Sequence, residues 1–446
     1  MITNEELALA REAIDIAKKY GAQKSRVTLI KSQEDLVATL NGEVDRVTHC
    51  LDRSLSIALF ADGRFGSFST NKLDRDALES FISGAVDTVR MLAADRFRDL
   101  PDPERCCKEA LTGNELDLID PEYDGITPQK RKAAALDAAV FASMDTDADG
   151  YTIISEEGEY SDSIYETILI DSNGLECRHS ENSFDYGVEV TIEADGEKYS
   201  GYWWDSSARL SGLDYKSCGP AAVQRAAAQI GSEPVSSGKY NMVIDRDVAS
   251  KVVSPVLRAL NAYSLQQNNS FLMDSLGKQV FPEGMTIIDD PHIKGQTCSK
   301  LFDSEGVATV RGPIIEKGVV RQYFVNTYMS GKTGMPPTIE DATRPHVMPW
   351  PEPGLDMDSI LEKCGSGILV TDFNGGNSNS ATGDFSYGIE GFLFEDGKIV
   401  RPVSGMLATG NFINLWASLI AAGDDVRGCM SKLIPTLAFA NVDFSG

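Results

Sequence analysis

The sequence predicts an α+β fold: an N-terminal part built of mixed sheet and helices, and a strand-rich C-terminal domain. Three observations carry this. From Met285 onward the chain reads mostly as strands and turns. Its helical stretches are grouped and do not alternate steadily with strands, as a parallel doubly wound sheet would require. And 446 residues, 42% apolar and 24% charged, supply enough chain for two or three ordinary cores. The expected division is 1–105 for an N-terminal α+β domain, 106–233 for a central α+β domain and 234–446 for a C-terminal β-rich domain.

The first segment opens with a helix, because Thr3 and Glu6 have capping-box spacing and Leu7, Ala10, Ile14 and Ala17 keep helical period until Gly21. RVTLI and DLVATL then alternate as strands do. SLSIALF and GSFST flank Ala61-Asp62-Gly63-Arg64, a hairpin signal. A helix is expected from about Asp74 to Ala94, with Leu78, Phe81, Ile82, Ala85 and Val89 on one face, and the polar stretch from DLPDPE to Pro128 reads as a linker. The second segment begins with the helix KRKAAALDAAVFASM. The strands SIYETILI, LECRHS and FDYGVEVTIEA follow, with turns at DSNG and Asp195-Gly196, and the helix PAAVQRAAAQI closes the segment.

In the third segment YNMVID is a strand. Asp247 is expected to cap a helix on which Val248, Val252, Val256 and Leu260 recur, with Pro255 as a candidate kink. Strands follow at MTIIDD, VATVRGPII, VVRQYFVN, SGILVTDF, YGIEGFLF and KIVRPVSG, with a helix over Phe412 to Ala422. PPTIEDATRPHVMPWPEPG is too rich in proline for a regular element and reads as an irregular lid or crossing.

Charge excludes several functions. The formal net charge is −26, and no Lys/Arg cluster interrupts it. Phosphate backbones and anionic membrane surfaces are bound by cations, so no nucleic acid and no membrane are expected as partners. No apolar run approaches a membrane span, and the N-terminus lacks the basic start and apolar stretch of a signal peptide, which points to the cytoplasm. The eight cysteines include no CxxC pair, so reduced, mostly buried thiols are expected and not a zinc ribbon.

Chemical motifs are sparse. Asp145-Thr-Asp147-Ala-Asp149-Gly150 with Glu156 fits the calcium loop of an EF-hand, but the residues after it alternate as a strand where an exit helix is needed. An acidic turn between helix and strand is the simpler reading. His49, His179, His292 and His346 have no metal-binding spacing. GGNSNSATG lacks the ending of a P-loop, and no GxSxG elbow is present. No cofactor is expected.

Four stretches in order carry a resemblance: NGEVDRVTHCLDRSLSIALFADGRFGSFSTN, DSEGVATVRGPIIEKGVVRQYFVNTYMSG, TGDFSYGIEGFLFEDGKIVRPVSG and MLATGNFINLW. The chain resembles the TldD/PmbA family nearly end to end, and within it the PmbA (TldE) branch. The resemblance implies proteolysis by a TldD–TldE pair that cuts small or unfolded peptides. In the TldD branch a mid-chain helix carries HExxxH, two zinc ligands and a general base. Set on this chain, those positions fall on Arg258, Ala259 and Tyr263. A guanidinium has no lone pair for zinc and a methyl cannot take a proton, while Cys429 lies in the region from which that branch draws a cysteine ligand. The implied role is a non-catalytic subunit, with a TldD-like metallopeptidase subunit and a peptide as partners and a homodimer when isolated. Asn261, Gln266, Thr382 and Asp384 are the candidates for facing a peptide channel or that partner. A strand edge in the C-terminal domain is a further candidate for taking an extended peptide. The alternatives are a metal-free hydrolase acting alone, or a regulatory binding protein of DNA gyrase, after the name the family carries.

Overall fold

The computed structural model describes residues 1–141 and 150–446. They form two compact units. The first holds 1–224, 292–309 and 326–340; the second holds 225–291, 310–325 and 341–446. The fold is α+β.

In the first unit, helix α1 (Asn4–Lys19) starts where the sequence places it. The Thr3 hydroxyl accepts from the Glu6 amide at 3.1 Å, and the Glu6 carboxylate accepts from the Thr3 amide at 2.8 Å. Strands β1 (Lys24–Leu40), β2 (Glu43–Ala61) and β3 (Arg64–Thr70) lead to α2 (Arg75–Val89), and α3 (Pro128–Asp137) leads to β4 (Thr152–Asp171), β5 (Glu176–Ala194) and β6 (Glu197–Ser207). The sheet order is β3-β2-β1-β4-β5-β6, every neighbour antiparallel. Alternate residues of the central strands, Val27, Leu29, Leu55 and Ile57, are buried in one core with Ala10 and Ile16 of α1 and Ile82 and Val86 of α2. RVTLI and DLVATL are parts of one strand, as are LECRHS and FDYGVEVTIEA.

Several local expectations are corrected here. Helix α2 ends at Val89, five residues short of Ala94, with Arg90 as its C-cap. The stretch read as a linker is packed. Arg178, Ser180 and Asn182 of β5 donate their amides to Ala110, Gly113 and Leu118, and Cys106, Cys107, Ala110, Leu116 and Leu118 are buried. Those amides need partners, and the polar spelling of the stretch hid that it supplies them. The Asp145–Asp149 part of the calcium-like loop lies outside the described residues. Glu156 is a buried β4 residue whose carboxylate accepts the amides of Val140 at 2.7 Å and Phe141 at 2.5 Å. Burial holds that carboxyl above its ordinary value, although the two amides pull it down. The segment 326–340 adds helix α7 (Thr327–Thr333), where the sequence suggested no helix; Asn326 caps it through the Met329 amide at 2.9 Å.

The chain passes to the second unit within α4 (Cys218–Ala227). There β7 (Gly238–Ile244) precedes α5 (Ser250–Ala259) and α6 (Ala262–Gln266). A four-stranded sheet holds β8 (Ile287–Asp289), β9 (Gly312–Glu316), β10 (Val319–Val320) and β11 (Pro345–Val347) in the order β10-β9-β8-β11. Helix α8 (Met357–Cys364) leads to β12 (Gly367–Ser378), β13 (Asp384–Glu395) and β14 (Lys398–Asn411); then come α9 (Phe412–Ala417), β15 (Leu419–Ala422) and β16 (Leu437–Ser445). Their order is β14-β13-β12-β7-β16-β15, and β14 also pairs with β16, which closes β14, β13, β12, β7 and β16 into a ring. Strands β7 and β12 run parallel. VVRQYFVN is strand only over Val319–Val320, and the helix expected to Ala422 stops at Ala417 and gives way to β15. No helix among the described residues is long and apolar enough to cross a membrane.

Candidate functional site

The site is built where the first strand of the second unit hands over to its helices. Asp247 does not cap α5; the N-cap is Ala249, without a side-chain bond. Asp247 instead takes two guanidinium groups, Arg225 at 3.0 Å and Arg427 at 2.9 Å, because it lies in the turn before the helix and is largely shielded from water. Asp245, two residues back, accepts the Asp247 amide at 2.9 Å and lies 3.9 Å from Arg225, yet burial, and then the Asp247 charge beside it, raise its carboxyl above the ordinary value. Helix α5 buries Val252, Val253, Val256, Leu257 and Ala259, and it carries Pro255 in its interior.

The helix does not run on to Gln266. It stops at Ala259, and α6 starts afresh at Ala262. Outside groups satisfy the backbone at the break. The Phe324 amide donates to the Leu260 carbonyl at 3.0 Å, and the Phe324 carbonyl accepts from the Ala262 amide at 2.9 Å. The Ser270 hydroxyl donates to the Ala259 carbonyl at 2.6 Å. Asn261 caps α6, its side-chain oxygen accepting from the Tyr263 amide at 3.0 Å. Asn268, at φ 53°, ends the segment.

Arg258 and Ala259 therefore stand on the last turn of α5, and Tyr263 stands across the break on α6. Arg258 is exposed, Ala259 is 2% exposed and Tyr263 is 43% exposed. Gln266 is exposed on the last turn of α6. Of Arg258, Ala259 and Tyr263, only Tyr263, through its phenol, could lend an electron pair to a metal. Among the described residues, no group of three or more His, Cys, Asp or Glu side chains is placed to hold a metal ion.

Thr382 and Asp384 are exposed and share one turn, before and at the start of β13. The Thr382 hydroxyl donates to Asp384 at 2.7 Å. The Asn411 side chain donates both to Asp384 at 2.9 Å and to the Thr382 carbonyl at 2.8 Å. These donors, Asn411 first, hold the Asp384 carboxyl below the ordinary carboxylate value. Between the two residues Gly383 has φ +81°, and a Cβ there would come within 3.0 Å of the Phe271 ring. Phe271 follows α6, its amide donating to the Ser380 carbonyl at 3.0 Å. Its ring stacks on Phe412 at 5.8 Å, Phe412 on Phe385 at 5.0 Å and Phe385 on Tyr387 at 5.3 Å. The structure thus joins Thr382 and Asp384 to the segment leaving α6 through an aromatic stack. Sequence reading missed Asn411, Ser270 and Phe324. Only Asn411 had a local signal, an asparagine placed to cap the apolar turn FINLW.

Residues 237–446 match the PmbA/TldA metallopeptidase C-terminal domain and residues 121–230 its central domain. A Bacteroides thetaiotaomicron crystal structure that carries the gyrase-modulator name is 39% identical, covers both chains completely and superposes with a TM-score of 0.94. The chain belongs to the PmbA/TldD family. "Metalloprotease PmbA" of Escherichia coli is 28% identical over 97% of this chain and 96% of its own length. TldE of Thermococcus kodakarensis, at 18% identity, shares the fold with a TM-score of 0.83 over 98% of this chain and all of that one. A family-level peptidase role follows from this membership.

Proposed function

We propose that this chain is a PmbA/TldE-like subunit of a TldD/TldE-type metallopeptidase complex that processes small or unfolded peptides in the cytoplasm, and that it holds no catalytic metal of its own. The observation that supports the reading is the α5–α6 joint. At the places of two imidazoles and a carboxylate it offers a cation, a methyl group and one phenol, on two helices separated at Leu260–Asn261. A hydrolytic zinc needs three protein ligands and an open position for water. On this reading the metal and its water belong to a TldD-like subunit; a TldD homologue from Buchnera aphidicola is 22% identical to this chain over 69% of it. This chain contributes surface: Arg258, Asn261, Tyr263 and Gln266 around the joint, and the Thr382–Asp384 turn, face the peptide or the partner.

The test is co-expression with a TldD-like protein, followed by metal analysis and peptide cleavage of each chain alone and of the complex. Zinc and cleavage are expected only with the partner, and cleavage survives Tyr263→Phe in this chain. Stoichiometric zinc and cleavage by the isolated chain, lost in Tyr263→Phe, would falsify the reading. Recovery of gyrase in place of a peptidase subunit would move it to a regulatory role.

A further inference from the structure

Strand β2 is longer than its neighbour on the outer side. It pairs with β1 from Glu43 to Phe60, but β3 covers it only from Leu55 to Ala61. From Glu43 to Ser54 its outer edge has no strand against it among the described residues. Asp45 through Arg53 are all exposed, with Val47 and Leu51 each at 65%. The usual protections of an edge are charged side chains, a proline, a bulge or a covering element, and the four charges here, of both signs, repel a foreign strand unless it matches them. This stretch has no proline, and after a register shift that leaves Asp45 unpaired with β1 its register is regular from Arg46 onward. The backbone is thus open to another strand.

The spelling of the edge says which strand. Asp45-Arg46-Val47-Thr48-His49-Cys50-Leu51-Asp52-Arg53 is complementary to itself when read backward about His49. Lay a second copy antiparallel with His49 opposite His49. Arg46 then faces Asp52, Asp45 faces Arg53, Val47 faces Leu51 and Thr48 faces Cys50, and the two-fold axis makes each pair twice. Slipping the register by one residue sets Arg46 against Arg53 in one direction and Asp45 against Asp52 in the other. Parallel pairing in register sets every charge against its like. One arrangement satisfies the edge, and its neighbours are penalised. Asp45 and Asp52 have no ion-pair partner among the described residues. Arg46 and Arg53 reach only distant acids within the chain, Glu159 at 3.5 Å and Glu6 at 3.4 Å, while more than half exposed. Such contacts are weak enough to exchange for cross-strand ones.

We infer that β2 is a self-association surface: two copies of this chain pair their Asp45–Arg53 edges antiparallel about His49 and continue the first unit's sheet across a two-fold axis. This names the surface and register for the homodimer that the family resemblance implies, and it does not depend on the subunit reading. The test is the mass of the purified full chain by light scattering at micromolar concentration. The wild type is expected at twice its 48.4 kDa. Asp52→Arg and Arg46→Asp each place like charges opposite one another twice and are expected at the single-chain mass. The double variant Arg46→Asp/Asp52→Arg restores the pairs and the dimer. Unchanged circular dichroism and thermal melts separate lost pairing from lost folding. As an independent readout, oxidation of Thr48→Cys is expected to give a covalent dimer through the native Cys50 of the other copy, abolished by Cys50→Ser. A monomeric wild type overturns the inference even where β2 variants weaken binding to a peptidase subunit, since the edge then serves that partner. A dimer untouched by both single variants also overturns it, since it forms through another surface.

Discussion

The Ser270 hydroxyl donates to the Ala259 carbonyl at 2.6 Å, and the two residues are 4% and 2% exposed. The bond ties the segment after α6 to the end of α5. It also fills a carbonyl that the broken helix leaves without an intrahelical donor. The same oxygen of Ser270 accepts from the Leu272 amide at 3.0 Å. Ser270→Ala removes both and strands a buried carbonyl and an amide, at a cost of about 1–3 kcal/mol. Urea unfolding is expected to show the loss. Arg258→Ala, at an exposed position with nothing to strand, is expected to stay within about 0.5 kcal/mol of the wild type.

A second prediction concerns the first unit. Arg131 holds Asp162 with two parallel bonds, 2.6 and 2.8 Å, and also reaches Asp35 at 3.1 Å. Asp162 is 0% exposed. Arg131→Met keeps the stem and removes the charge, leaving Asp162 buried without its guanidinium while the Tyr160 hydroxyl still donates to it at 3.1 Å. Breaking a buried pair from one side costs about 3–5 kcal/mol. Arg131→Met/Asp162→Leu, which removes both charges, is expected to recover much of that. Recovery absent in the double variant would show that the pair is not the source of the loss.

A third prediction follows from Asp303. Burial, and then the neighbouring Glu340, push its carboxyl up to about 7, against the amides of Val307 and Glu340 that it accepts. An unfolded aspartate gives up its proton near pH 4. Between about pH 4 and 7 the folded chain holds a proton that the unfolded chain has released, so this group's contribution falls as pH rises through that window. Asp303→Asn cannot ionise, so the difference in stability between variant and wild type should change across pH 4 to 7 and level off above 7. Chemical denaturation at a series of pH values measures it; a difference constant over the window would refute the raised value.

How much of this was legible beforehand depends on distance along the chain. The Thr3–Glu6 box and the Asp195-Gly196 turn were readable because each is a local exchange of a few bonds. That Arg258 has no lone pair for a metal and Ala259 no group to take a proton is readable because it depends on side-chain type alone. The break between them and Tyr263 was not, since Phe324 makes it from a distant segment that spelled a strand. Asp247 has the composition of a cap, yet its carboxylate goes to Arg225 and Arg427, and no local rule announces an ion pair with two remote partners. The open edge of β2 needed both levels: its self-complementary spelling lies in the sequence, but its freedom from β3 is a fact of the sheet.

The Thr382–Asp384 turn gives the last prediction. Asn411 donates to both ends of it and also caps α9, its oxygen accepting from the Ile413 amide at 3.0 Å. Asn411→Ala removes the largest of the influences that lower the Asp384 carboxyl. Its titration, followed by carbon-labelled NMR, is expected to move up toward the ordinary aspartate value, while Thr382→Val, which removes the second donor, gives a smaller rise in the same direction. A carboxyl whose pKa is lowered in the folded state contributes stability above its ordinary value that is lost as pH falls below it, so both variants should flatten the acid limb of the stability curve. Asn411→Ala also removes the cap of α9, at a cost of about 1 kcal/mol, whereas Thr382→Val leaves that cap in place and so isolates the effect of the turn. If the turn faces the peptide or the partner, Asn411→Ala lowers cleavage by the assembled complex while the isolated chain still folds. Cleavage equal to wild type, with the NMR shift present, would place the turn outside the working surface.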